Sequence, residues 1–231
     1  MKNRQKFEKP SQFIEREIVK SIVSEQWKAG QTLPPERKLA DILGVTRPTL
    51  REVLKGLAEA GWLTIRHGKP TIVKDYKISG GLGVLKTLIK YDAFSSEKLI
   101  TDWLEFRILI FPHLASKAIS ENSEVILKKL NEAPQISTAG SEFAVFDWEL
   151  QLLLIQYSQN SIALMLYNDL SEIYFKEGSE YFKNSKLKQK SIDYYEKLKN
   201  AVVNSKETEN IIRTSMQESY EIRKNLKSYN Q

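Results

Sequence analysis

The chain is 231 residues long, 41% hydrophobic, free of cysteine and carries a net charge of +6. That length and apolar content give room for one large or two modest domains with buried cores, and the missing cysteines exclude a disulfide framework and thiolate chemistry. No apolar run approaches the roughly 18–20 residues that span a bilayer, and the opening MKNRQKFEKPS lacks the apolar segment of a signal peptide, so a cytoplasmic protein without a membrane partner is expected.

The charge is unevenly placed. Residues 1–75 hold 15 Lys and Arg against 9 Asp and Glu, whereas residues 76–231 hold 20 of each kind. A basic module on an otherwise neutral chain points to a polyanion partner for that module alone.

In chain order, Ile14, Ile18, Ile22 and Val23 recur at helical spacing between Ser11 and Trp27, with Pro10 and Ser11 as a start signal, and predict a first helix. After a turn through Gly30 and Pro34, a second helix is expected from about Pro35, with Glu36 favourable in its first turn, Leu39, Ala40, Ile42 and Leu43 apolar, and Gly44 as a left-handed stop. Thr46 has the hydroxyl that caps the next helix. There, Leu50, Val53, Leu54 and Leu57 form one stripe, while Arg47, Arg51 and Lys55, four apart, form another that faces away from the core.

Two short helices joined by a tight glycine turn, the second presenting arginines from its first turns, make a helix-turn-helix whose second helix enters the major groove of double-stranded DNA. Arginine suits that position because its planar fork bonds two acceptors on one guanine edge. Beyond Gly61, WLTIRHGKPTIV predicts two short strands, 62–65 and 71–73, around a basic turn of Arg66, His67, Gly68 and Lys69. Such a wing tip reaches the minor groove or a backbone phosphate, and Gly68 permits close approach.

From about residue 77 the chain reads as all helix, with amphipathic stretches at 81–91, 95–119, 122–132, 141–158, 161–183, 186–203 and 207–227. Breaks are expected at 92–95, Asn122, 134–140, 159–160 and Asn184, and Pro112 predicts a kink. Seven or so helices can enclose a cavity, for which Trp103, Phe106, Tyr157, Tyr174, Tyr181 and Phe182 are candidate lining. Catalysis is not expected: the only histidine of this region is His113, so a three-histidine metal site is excluded, and Asp147 and Glu149 read as solvated acids on a polar face.

The run LPPERKLADILGVTRPTLREVLKGLAEAGWLTIRHGKPT resembles the winged-helix domain of the GntR family of bacterial transcription regulators. HGKPT followed by SGGLGVLKTL, and later EIYFKEGSEYF, is similar to its FadR subfamily in particular. The resemblance implies DNA contacts at Arg37, Thr46, Arg47, Thr49, Arg51, His67 and Gly68. It also implies a helical domain that binds long-chain acyl-CoA and then releases DNA, with Arg107, Tyr174, Tyr181 and Ser219 at the effector site. Three positions depart from it. Pro48 replaces a residue with a hydroxyl and an N–H, removing both donors. Met216 stands where the subfamily has glycine, and Arg223 where it has tryptophan. Methionine is bulky yet flexible, and Arg223 offers a partner for a CoA phosphate.

The expected protein is therefore mainly α. An N-terminal winged helix-turn-helix with a small β-hairpin wing (1–76) precedes an all-helical effector domain (77–231). It acts as a homodimer on a palindromic operator and takes long-chain acyl-CoA as effector rather than any cofactor or metal. The alternatives are a regulator of the same family that responds to another carboxylate metabolite, or one with no small-molecule effector.

Overall fold

In the computed structural model, which describes residues 8–91, 97–204 and 206–225, helix α1 (Pro10–Val23) opens on the proline expected to start it and buries Ile14, Ile18, Val19 and Ile22. It stops short of Trp27 because Ser24 leaves helical geometry and Glu25 takes a left-handed φ of 59°. Helix α2 (Glu36–Leu43) buries Leu39 and Ala40 and ends on Gly44 at φ 66°. Ile42, expected among its apolar residues, is 63% exposed, since the helix turns only one stripe inward.

Helix α3 (Arg47–Ala60) follows the three-residue turn 44–46 and closes on Gly61 at φ 101°. Strands β1 (Leu63–Thr64) and β2 (Ile72–Val73) pair antiparallel, Leu63 opposite Val73 and Thr64 opposite Ile72. They are shorter than expected; just before β1, Trp62 lies wholly in the core and its carbonyl accepts the Lys74 N–H at 2.9 Å. A single turn, α4 (Tyr76–Ser79), was not foreseen; Asp75 caps it by accepting the Lys77 N–H at 3.1 Å. Helix α5 (Leu82–Lys90) then packs back on α3.

One core joins these elements, with Ile14, Ile18, Leu50, Leu54, Trp62 and Val84 among its members. Because Val84 of α5 belongs to it, the compact unit runs to residue 95, and the expected division after residue 76 falls inside that unit. The end of α5 is tied to α1 by the Tyr91 hydroxyl, which donates to Glu15 Oε2 at 2.6 Å and to the Gln12 carbonyl at 3.2 Å, and by an ion pair from Lys90 to Glu15. The turn expected at 92–95 lies outside the described residues.

The second unit, residues 96–231, contains α6 (Glu97–Glu121), α7 (Ser123–Leu130), α8 (Gly140–Tyr157), α9 (Ser161–Asp169), α10 (Ser171–Tyr181), α11 (Ser185–Val203) and α12 (Thr208–Asn225). Helix α6 continues on both sides of Pro112. The helix expected over 161–183 is broken at Leu170, where the Ser171 hydroxyl takes the Asn168 carbonyl at 2.8 Å and competes with the backbone ladder.

Helix α8 is the centre of this unit. It buries Phe143, Phe146, Trp148, Leu150, Leu154 and Ile155 on one broad face and leaves Glu142, Val145, Glu149 and Gln156 exposed along the opposite stripe. It lies against α6, α7, α9 and α10, while α12 lies along α6 and α11. Polar groups on the inward face of α8, Asp147 and Gln151, are thereby carried into the bundle. Among the described residues no helix is long and apolar enough to cross a membrane.

Candidate DNA-binding face and effector cavity

The start of α3 is fixed by its own side chains. Thr46 Oγ1 accepts the Thr49 N–H at 3.4 Å and lies 2.8 Å from the Thr49 hydroxyl, a cap that satisfies a first-turn donor. Leu50, Leu54 and Leu57 are buried, so Arg47, Arg51 and Lys55 are turned outward, and all three are exposed. Arg37, Thr46 and Pro48 are exposed as well, and Thr49 is half-buried.

Arg51 is not idle in the free protein. Its Nη2 and Nε donate to Glu36 Oε2 at 2.6 and 3.0 Å, and this hydrogen bond holds the guanidinium pKa above its ordinary value. Glu36 opens α2, so the pair ties the two helices of the motif together across a side chain that remains 62% exposed. At the wing, residues 65–70 are all exposed, the Lys69 N–H closes a turn on the Arg66 carbonyl at 3.1 Å, and Gly68 sits at φ 68°, which favours glycine. His67 and Gly68 thus occupy the tip.

In the helical unit, a cavity of about 630 Å³ is lined by all six residues expected at an effector site: Arg107, Tyr174, Tyr181, Met216, Ser219 and Arg223. Of the six candidate lining residues, Trp103, Tyr174, Tyr181 and Phe182 line it. Phe106 and Tyr157 do not, and Phe106 is instead 39% exposed beside Trp103. Met216 is part of the wall and leaves the space open.

The buried end of the cavity is a polar network set among aromatic rings. Arg107 Nη2 of α6 donates to Gln151 Oε1 at 2.7 Å, and Gln151 Nε2 donates to Asp147 Oδ2 at 2.7 Å. Asp147 also accepts from the Tyr174 hydroxyl, and at 2.6 Å from the Tyr195 hydroxyl. The expectation that Asp147 is a solvated acid therefore fails: it lies on the inward face of α8, where Gln151, Tyr174 and Tyr195 donate to its carboxylate. Glu149 does meet solvent, paired at 2.9 Å with Lys129.

Burial, reinforced by the neighbouring Asp147, holds the Tyr174 and Tyr195 hydroxyls well above the ordinary tyrosine pKa, so they act as donors. Burial also pushes Tyr167 up to about 12, against the opposing effect of Arg107. The Tyr167 hydroxyl and Arg107 Nε are both buried without a hydrogen-bond partner. Gln151 and Glu177 are among the lining residues that sequence reading did not name, and Asp147 was named only as a solvated acid. The signal was present in part, since Asp147 and Gln151 are a polar i, i+4 pair on the otherwise apolar face of the helix.

The rim is charged. Arg223 Nε of α12 donates to Glu177 Oε2 of α10 at 2.7 Å, and Lys183 pairs with Glu180 at 2.6 Å. Tyr181 and Ser219 hydroxyls stand 3.5 Å apart beside them, Ser219 donating to the Ser215 carbonyl at 3.0 Å. Among the described residues no group of three or more His, Cys, Asp or Glu is placed to hold a metal ion.

Comparison with known proteins divides the chain at 73/74, ahead of the structural division at 95/96. Residues 10–73 match the family described as bacterial regulatory proteins, gntR family, and residues 74–230 match the FadR C-terminal domain. The chain is 36% identical over 193 residues to the fatty acid metabolism regulator protein of Serratia proteamaculans, covering 84% of this chain and 81% of that one. It is 32% identical over 200 residues to the protein of the same name from Shewanella pealeana, covering 87% and 84%.

Among solved structures, Lar, described as controlling the expression of the Listeria monocytogenes agr system, shares the fold. Its TM-score is 0.50 at 14% identity, covering 95% of this chain and 96% of that one. The two curated relatives are named regulator proteins, and this protein is a regulator of that kind rather than an enzyme. With a gntR-type domain followed by a FadR C-terminal domain over nearly its whole length, the chain belongs to the FadR group of the GntR family of DNA-binding transcription regulators.

Proposed function

We propose that the protein regulates transcription of fatty acid metabolism genes from the cytoplasm, binding a palindromic operator as a homodimer and leaving it when a long-chain acyl-CoA occupies the cavity of the helical unit. Arg37, Thr46, Arg47, Thr49 and Arg51 meet the major groove and its phosphates, and His67 and Gly68 the minor groove or a phosphate. The reading requires no metal and no cofactor. The relatives' name, fatty acid metabolism regulator protein, supports the class of target and effector.

The observation that carries the proposal is the cavity itself. Its volume of about 630 Å³ lies within the range of small-molecule sites, and it pairs an aromatic interior with a charged rim. That division matches an amphiphile with an apolar chain and an anionic head. An effector acts only through its difference in affinity between the DNA-bound and released states, and a coupling of about 1–3 kcal/mol changes DNA affinity roughly 5- to 150-fold.

Calorimetric titration of the purified protein with palmitoyl-CoA, beside free CoA and palmitate, tests the effector. The proposal expects saturable binding of the acyl-CoA, with free CoA much weaker because it brings no chain to the interior. Absence of any heat or stabilisation with palmitoyl-CoA would remove it as effector while leaving DNA binding intact.

A further inference from the structure

Helices α11 and α12 lie against each other, yet between them a second cavity of about 220 Å³ stays open. The stripes that line it are mostly polar. On α11, Lys190, Ser191, Tyr194 and Lys197 follow one another at i, i+1, i+4 and i+7, so they share one face, and Thr214 and Glu218 are among the residues of α12 that meet them. The volume is below the range of whole small-molecule sites, which makes this space an annex for part of a ligand.

The annex adjoins the main cavity. Tyr181, Ser191, Tyr194, Ser215 and Ser219 line both spaces, so the two share a wall, and every one of these five side chains carries a hydroxyl. Beyond that wall the main cavity is aromatic, whereas the annex presents two lysines.

We propose that the annex receives the phosphate-bearing head of the amphiphile whose chain fills the main cavity, with Lys190 and Lys197 as its cations and the shared hydroxyls as its neutral donors. This assignment rests on the cavity reading given under Proposed function. Two helical turns separate the lysines, about 10 Å along α11, so each can meet a different phosphate of one head group.

The annex is better prepared for an anion than the charged rim of the main cavity. On the rim, Arg223 and Lys183 hold carboxylates at 2.7 and 2.6 Å. Lys190 instead stands 3.8 Å from Glu218, beyond hydrogen-bond distance, and the two side chains are 52% and 57% exposed. Such a pair contributes little, so a phosphate can take the place of Glu218 at low cost. In the shared wall, burial holds the Tyr181 and Tyr194 hydroxyls above the ordinary tyrosine pKa, and both therefore keep a proton to donate. Tyr181 and Ser219 stand 3.5 Å apart, a weak mutual bond that a phosphate oxygen can replace.

The experiment is calorimetric titration of the full chain with palmitoyl-CoA and with S-palmitoyl-pantetheine, which keeps the same chain and thioester but has no phosphate. In the unaltered protein palmitoyl-CoA should bind about tenfold or more tightly than the pantetheine ester, the scale of one charge-assisted hydrogen bond. Lys190→Gln combined with Lys197→Gln should bring that ratio close to one by weakening palmitoyl-CoA alone. Lys117→Gln combined with Lys128→Gln removes the same charge from exposed positions on α6 and α7 outside the annex, and should leave the ratio as it was.

Reading the ratio within each variant separates head recognition from any loss of folding, which weakens both probes together. A ratio near one in the unaltered protein, a ratio that survives loss of Lys190 and Lys197, or one that falls equally in the control would overturn the annex as the head site and leave the cavity reading intact. Failure of both probes to bind the unaltered protein would instead overturn the cavity reading, and the annex with it.

Discussion

Arg47 and Thr46 have separable duties at the head of α3, and single substitutions distinguish them. Arg47 is exposed and removed from the core, so Arg47→Ala leaves the melting temperature nearly unchanged and lowers operator affinity by about 1–3 kcal/mol, the worth of an arginine on a guanine edge. Thr46 caps the helix through its hydroxyl, so Thr46→Ala costs about 1 kcal/mol of stability in addition to any contact with DNA. Fluorescence anisotropy with a labelled duplex, alongside thermal unfolding, separates the two. Both residues were legible from the sequence, because caps and outward basic rows follow from local spacing. The network around Asp147 was not, because its partners come from three helices and no local pattern reveals which of them meet on the inward face of α8.

The buried tyrosines carry a pH dependence with a definite sign. Tyr174 and Tyr195 hold their protons above the ordinary pKa of about 10, so between that value and their folded pKa the unfolded chain binds fewer protons than the native one. Stability is then fully present below pH 10 and falls as pH rises beyond it. Melting temperatures measured from pH 8 to 11 should decline more steeply for the unaltered protein than for Tyr174→Phe or Tyr195→Phe, each of which removes one such group. Equal slopes would mean that the two hydroxyls are not held neutral.

At the scale of elements, the packing of α5 on α3 is the contact that extends the DNA-binding unit beyond residue 76. A Cβ at Gly83 would lie 2.9 Å from both Cα and the carbonyl oxygen of Ala60, and backbone cannot yield as a side-chain tip can. Gly83→Ala should therefore force α5 away from α3 and destabilise the unit by about 1–3 kcal/mol, the usual cost of overpacking, seen as a lower melting temperature.

The helices and the wing were readable from hydrophobic period, glycine stops and the basic turn. What sequence pattern misplaced were ends and interruptions set by tertiary demands. The overrun of α1 to Trp27 and the break at Leu170 each arise where a side chain or a left-handed residue overrides a continuing period. Five of the seven DNA-contact positions implied by resemblance are exposed on α2, α3 or the wing, Thr46 is exposed at the cap, and Thr49 is half-buried beside it.

At the scale of the whole molecule, the charge distribution and the two-part family membership describe one device. All the excess positive charge lies in the first 75 residues, so the logarithm of operator affinity should fall linearly with the logarithm of salt concentration as phosphates release counterions. The remainder of the chain, residues 76–231, carries no net charge, and its helices enclose the cavity. The most direct measurement of the account is a competition by anisotropy, with the protein bound to a labelled operator duplex and titrated with palmitoyl-CoA, beside a scrambled duplex of the same length. The account predicts tight binding to the operator, weak binding to the scrambled duplex, and release of the operator by palmitoyl-CoA with a shift in affinity of roughly 5- to 150-fold. Equal binding to both duplexes, or an operator complex that palmitoyl-CoA leaves unchanged at saturating concentration, would contradict it.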